Sequence, residues 1–184
     1  MKARDHCDLL PGLATWDPSP LRARLRKEGY QRQVLETLGL PERWIHSVAP
    51  RAALTRHVGK GTSLECLIRL FTLGDSLAGE DALHALGDAV HGLLEIAFLE
   101  AGGGEIRSCY QLVPVDDGWI ACDFHRRQGD DADDYVMGIG PSSLLLASLV
   151  PMTGRRALEL ASGVGWLSGK LAANGMQVIA SDVN

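Results

Sequence analysis

The middle of the chain has apolar residues at helical spacing, separated by short polar breaks. Thr62-x-x-Glu65 is the pattern of a capping box. Apolar residues then recur at i, i+3, i+4 and i+7, which predicts an amphipathic helix ending at Gly74. Two further helices are predicted, one over residues 80–86 and one that Asp88 caps and that runs to the glycine run 102–104. Their predicted inward residues are Leu64, Leu67, Ile68, Phe71, Leu83, Leu86, Val90, Leu93, Leu94 and Ala97.

A β-hairpin is predicted to follow these three helices. Side chains of opposite character alternate over residues 106–112, which is typical of a strand. Asp117-Gly118 is expected to turn the chain, and residues 119–124 are expected to return as a second strand. Three helices followed by a hairpin is the element order of a winged-helix domain.

Two shorter helices are predicted nearer the N-terminus. Asp17-Pro-Ser-Pro20 is typical of a helix start, with Ser19 as the cap and proline in the first turn. Residues 1–17 show no sustained period and are predicted to be a leader, so the winged-helix-like domain is predicted over 18–128. The predicted inward residues of the two helices are Leu21, Leu25, Val34, Leu35 and Leu38.

The last thirty residues follow a different pattern, namely strand, glycine-rich turn, helix and strand. A short apolar run contains Glu159 and leads directly into the loop 161–165, where small residues let the backbone approach a ligand. A helix over 166–173 and a second apolar strand then lead to Asp182. A carboxylate at the end of such a strand accepts hydrogen bonds from a ribose diol in nucleotide-binding βαβ units.

The details of this unit distinguish two kinds of cofactor site. A dinucleotide site typically has Gly-x-Gly-x-x-Gly and no charge in the first strand, whereas here Ser168 ends the pattern and Glu159 precedes it. The order acid-x-small-x-Gly-x-Gly instead resembles motif I of the class I S-adenosylmethionine-dependent methyltransferases. The upstream segment Tyr135-Val-Met-Gly-Ile-Gly-Pro-Ser-Ser resembles one found in an actinobacterial group of these enzymes.

The resemblance implies a fold and a function. That group pairs an uncharacterised N-terminal domain with a catalytic domain similar to the ribosomal RNA and release-factor glutamine methyltransferases. The resemblance implies S-adenosyl-L-methionine as cofactor. It also implies that the methyl acceptor is a nitrogen of a protein glutamine or a nucleic acid base, with protein or RNA as the macromolecular partner. The implied cofactor-binding residues are Gly138, Gly140, Ser142, Glu159, Ala161, Ser162, Gly163, Gly165 and Asp182.

The chain also departs from the family pattern. Ala161 stands where the family usually has glycine, and Glu159 where aspartate is common. The later Asn-Pro-Pro-Tyr/Phe motif that positions the acceptor nitrogen is not among the 184 residues, so we expect only the N-terminal portion of the enzyme and name no catalytic residue. Two alternatives remain: a nicotinamide-dinucleotide site, and a non-catalytic interaction or dimerisation module with a vestigial βαβ tail.

Composition narrows the class of protein. The chain is 46% hydrophobic with 22% charged residues, which is typical of a globular protein. Its four scattered cysteines predict reduced thiols in a cytoplasmic protein, and no apolar run approaches the roughly 20 residues of a membrane span. The overall prediction is a mixed α/β chain with a leader (1–17), a winged-helix-like domain (18–128), an acidic linker (129–134) and the start of a Rossmann-like domain (135–184).

Charge is unevenly distributed. Residues 1–60 contain eleven Lys and Arg against six acids, while the remainder is strongly acidic. The arginines around residues 22–32 are expected to be the solvated face of a helix, with contact to a polyanion as the alternative. The predicted third helix exposes Asp88, His91, Glu95 and Glu100, which argues against duplex DNA and favours a packing or homodimerisation module. The histidines and the acidic run show no metal-ligand spacing, so no metal site is predicted.

Overall fold

The computed structural model describes residues 12–38, 58–59, 61–116, 118–124 and 135–183. Within them the protein is mixed α/β, with several helices and three small sheets. The chain divides into two compact units, residues 1–125 and 126–184. Most of the predicted leader, the acidic linker 129–134, Asp117 and Asn184 lie outside the described residues.

The first unit (residues 1–125) consists of helices followed by short antiparallel strands. Its helices are α1 (Ser19–Lys27), α2 (Arg32–Thr37), α3 (Ser63–Leu67, continuing as a π-helical turn over Ile68–Leu73), α4 (Gly79–Leu86) and α5 (Ala89–Glu95). Its strands are β1 (Leu77–Ala78), β2 (Leu99–Gly102), β3 (Glu105–Ser108), β4 (Gln111–Val115) and β5 (Gly118–Cys122). One antiparallel sheet has the order β1-β3-β2, and β4 pairs with β5 in a separate hairpin.

The capping box predicted at the start of α3 is confirmed. The Thr62 side chain accepts a hydrogen bond from the Glu65 N–H at 3.2 Å. In return the Glu65 carboxylate accepts from the N–H groups of Thr62 at 2.9 Å and Gly61 at 3.0 Å. These bonds, that to the Thr62 backbone above all, hold the pKa of Glu65 below its ordinary value. The helix ends as predicted at Gly74, whose φ of 66° is left-handed.

Tyr30 connects three elements of the first unit. Its side chain is fully buried, and its hydroxyl donates to the Leu112 carbonyl at 2.7 Å while lying 2.8 Å from the Thr72 hydroxyl. Its own carbonyl accepts from the Trp119 indole N–H at 2.8 Å. The Thr72 carbonyl, in the π-helical turn, accepts from the Gln111 carboxamide at 3.2 Å. The turn between α1 and α2 is thereby fixed to α3 and to the β4–β5 hairpin.

A single hydrophobic core lies among these elements, and most predicted core residues belong to it. Trp16, assigned to the leader by the sequence pattern, packs against this core. A Cβ on Gly92 would lie 2.7 Å from the Trp16 indole nitrogen, so the close approach of the ring requires glycine there. The most buried large side chains are Leu25, Tyr30, Leu35, Leu67, Ile68, Leu70, Phe71, Leu86, Leu93, Ile96 and Leu99.

The predicted third helix is too long. α5 ends at Glu95, where the Phe98 N–H bonds to the Leu93 carbonyl and Ala97 takes a left-handed φ of 57°. This is a Schellman-type ending in which alanine replaces the usual glycine, so the sequence pattern does not reveal it. Residues 99–102 form β2 instead of helix, and the glycine run makes the β2–β3 turn.

The predicted strand over residues 106–112 is also wrong as a single element. The Ser108 hydroxyl donates to the Tyr110 carbonyl at 2.6 Å, and the Cys109 N–H donates to the Phe98 carbonyl at 3.0 Å. These bonds bend the chain, so β3 and β4 belong to different sheets.

Three smaller predictions near helices fail as well. Leu38 and Leu83 are about half exposed instead of buried, because Leu38 follows the end of α2 and Leu83 lies on the outer side of α4. Ser19 makes no capping bond; the Asp17 carboxylate accepts from the Ser19 N–H at 2.9 Å instead. Asp88 occupies the N-cap of α5 without a side-chain bond.

The second unit (residues 126–184) contains the predicted parallel βαβ arrangement. Its elements are α6 (Pro141–Leu149), β6 (Arg156–Leu160), α7 (Trp166–Ala173) and β7 (Gln177–Ser181). β6 and β7 pair in parallel, with Glu159 opposite Ala180. Leu167, Leu171 and Met176 form a small core that α6 and one face of the strands cover. α7 ends as predicted at Asn174 and Gly175.

The other face of this two-stranded sheet is open within the described residues. Leu158, Leu160 and Ile179 are each about two-thirds exposed. Parallel sheets usually have both faces covered, so this face is unusual for its class.

Among the described helices, none is long and apolar enough to cross a membrane.

Candidate functional site

A pocket of about 370 Å³ lies in the second unit at the carboxyl ends of β6 and β7. Its volume falls in the range of roughly 300–1,000 Å³ that is usual for small-molecule sites. The carboxyl edge of parallel strands is also where α/β folds bind ligands. The lining residues are Tyr135, Val136, Met137, Gly138, Ile139, Ser142, Ser143, Leu146, Glu159, Ala161, Ser162, Gly163, Val164, Trp166, Leu167 and Asp182.

The glycine loop (residues 161–165) connects β6 to α7, and its residues 161–164 line the pocket. Ala161, Gly163 and Gly165 have positive φ angles of 56°, 51° and 69°. A Cβ on Gly163 would meet no atom within 4 Å, so glycine is favoured there by the left-handed backbone and not by crowding. Ala161 adopts the same conformation at a cost of roughly 1–2 kcal/mol. The position where the resembled family has glycine is therefore one whose backbone favours glycine.

Asp182 lies directly after β7 and contacts the glycine loop. One of its carboxylate oxygens accepts from the Gly163 N–H at 2.5 Å, and the other accepts from the Val183 N–H at 2.7 Å. The Ser162 N–H donates to the Ser181 carbonyl at 3.1 Å, which joins the loop to the end of β7. These bonds fix the orientation of the Asp182 carboxylate at the edge of the pocket.

Glu159, near the end of β6, contacts α7. Its carboxylate accepts a hydrogen bond from the Ser168 hydroxyl in the first turn of that helix. Ser168 occupies the third glycine position of a dinucleotide fingerprint, where close packing of helix on strand requires the absence of a side chain. Here a side chain is present at that position and bridges the helix to the strand.

The pocket is acidic. Glu159 and Asp182 both line it, and no Lys, Arg or His is among its lining residues. Its remaining polar groups are hydroxyls and backbone, and the rest of its wall is apolar or aromatic. Such a surface favours a ligand with positive charge and disfavours one with several negative charges.

The structure brings most of the predicted site residues together. Seven of the nine line the pocket, whereas Gly140 and Gly165 do not. Gly140 is the N-cap of α6 and Gly165 the N-cap of α7, so both act by positioning the segments that do line it. Sequence reasoning missed Tyr135 and Trp166, although each borders a glycine-rich segment, and it missed the part played by Ser168.

Other reactive groups give no sign of a second catalytic centre in the described residues. Cys66, Cys109 and Cys122 form no disulfide. Burial raises the pKa of the Cys66 thiol and raises that of Cys122 to about 12, so neither is a thiolate at neutral pH. No cluster of three or more His, Cys, Asp or Glu suited to a metal ion occurs in the described part of the chain.

The basic residues near the N-terminus have two kinds of environment. Arg24 caps the end of α4 through the carbonyls of His84 and Ala85, and Arg32 pairs with Glu36 and Asp116, each at 3.0 Å. Both side chains are only partly exposed and bond within the protein, unlike the solvated helix face predicted for them. The side chains of Arg22, Arg26 and Lys27 are exposed on α1.

The acidic surface predicted for the third helix is present on α5. Asp88, His91 and Glu95 are all exposed. Glu100, assigned by the sequence to the same surface, lies on β2 and pairs with Arg107 at 2.5 Å.

A scan against protein-family models finds no match for this chain, and a search of curated proteins finds no similar sequence.

Proposed function

We propose that the second unit binds S-adenosyl-L-methionine and that the chain is the N-terminal portion of a class I methyltransferase. The observation that carries the proposal is the acidic pocket at the carboxyl ends of two parallel strands, which gathers Glu159, the glycine loop and Asp182. Asp182 would hold the ribose diol, while Glu159 and the loop would face the methionine end. The implied methyl acceptor is a nitrogen of a protein glutamine or a nucleic acid base.

The charge of the pocket favours this cofactor over a dinucleotide. S-adenosyl-L-methionine has a positive sulfonium and a positive ammonium group against one carboxylate, so its net charge is positive and suits an acidic pocket. A dinucleotide would bring a doubly negative pyrophosphate to the same loop, where the lining residues offer no cationic side chain. Ser168 further weakens the nicotinamide alternative, because its side chain stands where the fingerprint has glycine.

When bound, the cofactor would supply an electrophilic methyl carbon for in-line transfer to an acceptor nitrogen, with the neutral thioether S-adenosylhomocysteine as the leaving group. The contribution of this chain to such a reaction is to bind and orient the cofactor. The bond between Asp182 and the glycine loop holds the loop in one conformation before the cofactor binds. Binding therefore costs less conformational entropy.

For the first unit we propose a winged-helix-like packing or dimerisation module. Helix α3, strand β1, helices α4 and α5 and the β2–β3 hairpin follow one another in that order, and β1 joins the sheet beside β3. The exposed acids on α5 favour packing over contact with duplex phosphates.

Isothermal titration of the full chain with S-adenosyl-L-methionine, S-adenosylhomocysteine and NAD tests the cofactor assignment. We expect the first two to bind and NAD not to bind. Asp182→Ala should weaken cofactor binding by about 2–4 kcal/mol, because two hydrogen bonds to a charged group are lost. Asp88→Ala is the matched control, since it removes an exposed aspartate whose side chain makes no capping bond.

Gly163→Val provides an independent test of the loop. We expect it to block binding, because a branched side chain would enter the pocket. Gly175→Val is its control: Gly175 also has positive φ and open space around its Cβ, but lies at the end of α7. Equal affinity of both variants for the cofactor, or tighter binding of NAD than of S-adenosyl-L-methionine, would refute the assignment.

A further inference from the structure

A second cleft, of about 280 Å³, lies in the first unit between the α1–α2 region and the β4–β5 hairpin. The side chains that define it are a guanidinium, two carboxamides, a carboxylate and an indole, from Arg26, Gln31, Gln33, Asp116 and Trp119. We name it the Trp119 cleft. All five residues belong to the first unit, so the cleft is separate from the cofactor pocket.

The aromatic wall of the Trp119 cleft is fixed. The Trp119 indole N–H donates to the Tyr30 carbonyl at 2.8 Å, and the ring is only partly exposed. The Arg26 guanidinium carbon lies 6.0 Å from the ring centroid, at the outer limit of a cation–π contact. A planar ligand placed here would meet an indole of fixed orientation and a planar cation.

The polar groups of the cleft are suited to the edge of a base. The carboxamides of Gln31 and Gln33 are exposed, and neither bonds to another side chain within the described residues. Each offers both a donor and an acceptor, as base edges require. The Asp116 carboxylate, held by Arg32 at 3.0 Å, can accept from an exocyclic amino group. The same carboxylate would repel an acidic peptide.

Positive charge extends from the cleft along α1. Arg22 precedes Arg26 by four residues and so lies on the same side of the helix, and Lys27 follows. All three side chains are exposed and could contact phosphates. A duplex would not fit this arrangement, because its bases are stacked and paired and cannot enter a cleft singly.

We propose that the Trp119 cleft binds one base of a single-stranded nucleic acid, whose adjoining phosphates lie along Arg22, Arg26 and Lys27. Unpaired bases that stack on aromatic rings and arginine planes are the usual mode of single-strand recognition. The inference does not rest on the cofactor assignment, and it concerns a surface different from the acidic face of α5.

Fluorescence polarisation of the full chain, without cofactor, tests the proposal. The probes are labelled 12-nucleotide single strands of one mixed sequence as RNA and as DNA, the corresponding duplex, and a polyglutamate peptide. We expect the single strands to bind more tightly than the duplex or the peptide, with affinity falling as salt rises. Binding of either the RNA or the DNA strand supports the proposal, and their ratio shows which sugar is preferred.

Variants then locate the site. Trp119→Ala should weaken single-strand binding about fivefold or more, and Trp119→Phe should retain most of it because a ring remains. Arg26→Gln and Gln33→Ala change exposed side chains that the fold does not need, so they test the cleft even if Trp119→Ala unfolds. Arg155→Gln, an exposed arginine of the second unit, controls for loss of charge. Equal affinity of Arg26→Gln, Gln33→Ala and Arg155→Gln, or tighter binding of duplex or peptide, would overturn the proposal.

Discussion

The Glu159 carboxylate accepts a hydrogen bond from the Ser168 hydroxyl, which joins strand β6 to the first turn of α7 across the glycine loop. The bond explains why serine is tolerated at a position that dinucleotide sites reserve for glycine. It also orients the carboxylate that lines the pocket. The contact therefore links the fold of the βαβ unit to the chemistry of the site.

Ser168→Gly completes the Gly-x-Gly-x-x-Gly pattern and separates the two cofactor interpretations. We expect it to lower the free energy of unfolding of the second unit by about 1–2 kcal/mol, through the lost hydrogen bond and the cost of glycine in a helix. NAD binding should not appear, because Glu159 and Asp182 still place two negative charges in the pocket that the pyrophosphate would enter. Urea unfolding and calorimetric titration measure the two effects. NAD affinity gained by this variant would favour a dinucleotide site.

Ala161→Gly should relieve strain in the glycine loop. The left-handed backbone of Ala161 is more favourable for glycine, so we expect the free energy of unfolding to rise by about 0.5–1 kcal/mol with cofactor affinity unchanged or stronger. Ala97→Gly, at a φ of 57° in the first unit, is the matched control for stability and should leave cofactor affinity unchanged. Destabilisation by Ala161→Gly in thermal unfolding would contradict a strained left-handed backbone at Ala161.

The sequence predicted those parts of the fold that depend on local chemistry. The capping box at Thr62, the stop at Gly74 and the helix 166–173 with its end at Gly175 each follow from a few adjacent residues. The candidate site was predictable for the same reason. The loop follows β6 and Asp182 follows β7, so both lie at the carboxyl edge of one βαβ unit. Seven of nine candidates therefore line one pocket.

The failures arose where distant contacts decide the structure. The left-handed stop at Ala97 depends on packing, because alanine alone gives no such preference, and the prediction therefore continued to the glycine run. The bend after Ser108 likewise depends on the bond from the Cys109 N–H to the Phe98 carbonyl on the other side of the β2–β3 hairpin. The roles of Tyr30 and Ser168 could not be predicted, since their partners are distant in sequence or lie on a different element.

Glu65→Gln should change the stability of the first unit in acid. The pKa of Glu65 is below its ordinary value in the folded protein, mainly because of the Thr62 N–H bond. A carboxyl with a lowered pKa stabilises the fold above its unfolded pKa of about 4.3 and loses that contribution as pH falls further. We expect the variant to show a shallower loss of stability below about pH 5, measured by urea unfolding at several pH values.

Glu95→Gln is the control for this experiment, because it removes the same charge from an exposed site on α5 that has no capping role. The capping interpretation predicts a difference between the two variants in the acid limb of the stability curve. Parallel curves for Glu65→Gln and the unaltered protein would contradict it.

Tyr30→Phe should destabilise the first unit by about 1–3 kcal/mol, because the Leu112 carbonyl loses its buried donor. Burial raises the pKa of Tyr30, so its neutral form is favoured by folding. The contribution of Tyr30 to the free energy of unfolding is therefore present below the unfolded pKa of about 10 and is lost as pH rises further. We expect the unaltered protein to lose stability more steeply above about pH 10 than Tyr30→Phe does.

The partner of Tyr30 can be identified by a double-mutant cycle with Thr72→Val. The two hydroxyls lie 2.8 Å apart, and the Tyr30 proton is used on Leu112, so Thr72 is the donor in their bond. If so, the two substitutions together should cost less than the sum of their separate effects, by about 0.5–1.5 kcal/mol. Additive effects in urea unfolding would show that the hydroxyls do not interact, and that Tyr30 stabilises the π-helical turn by packing alone.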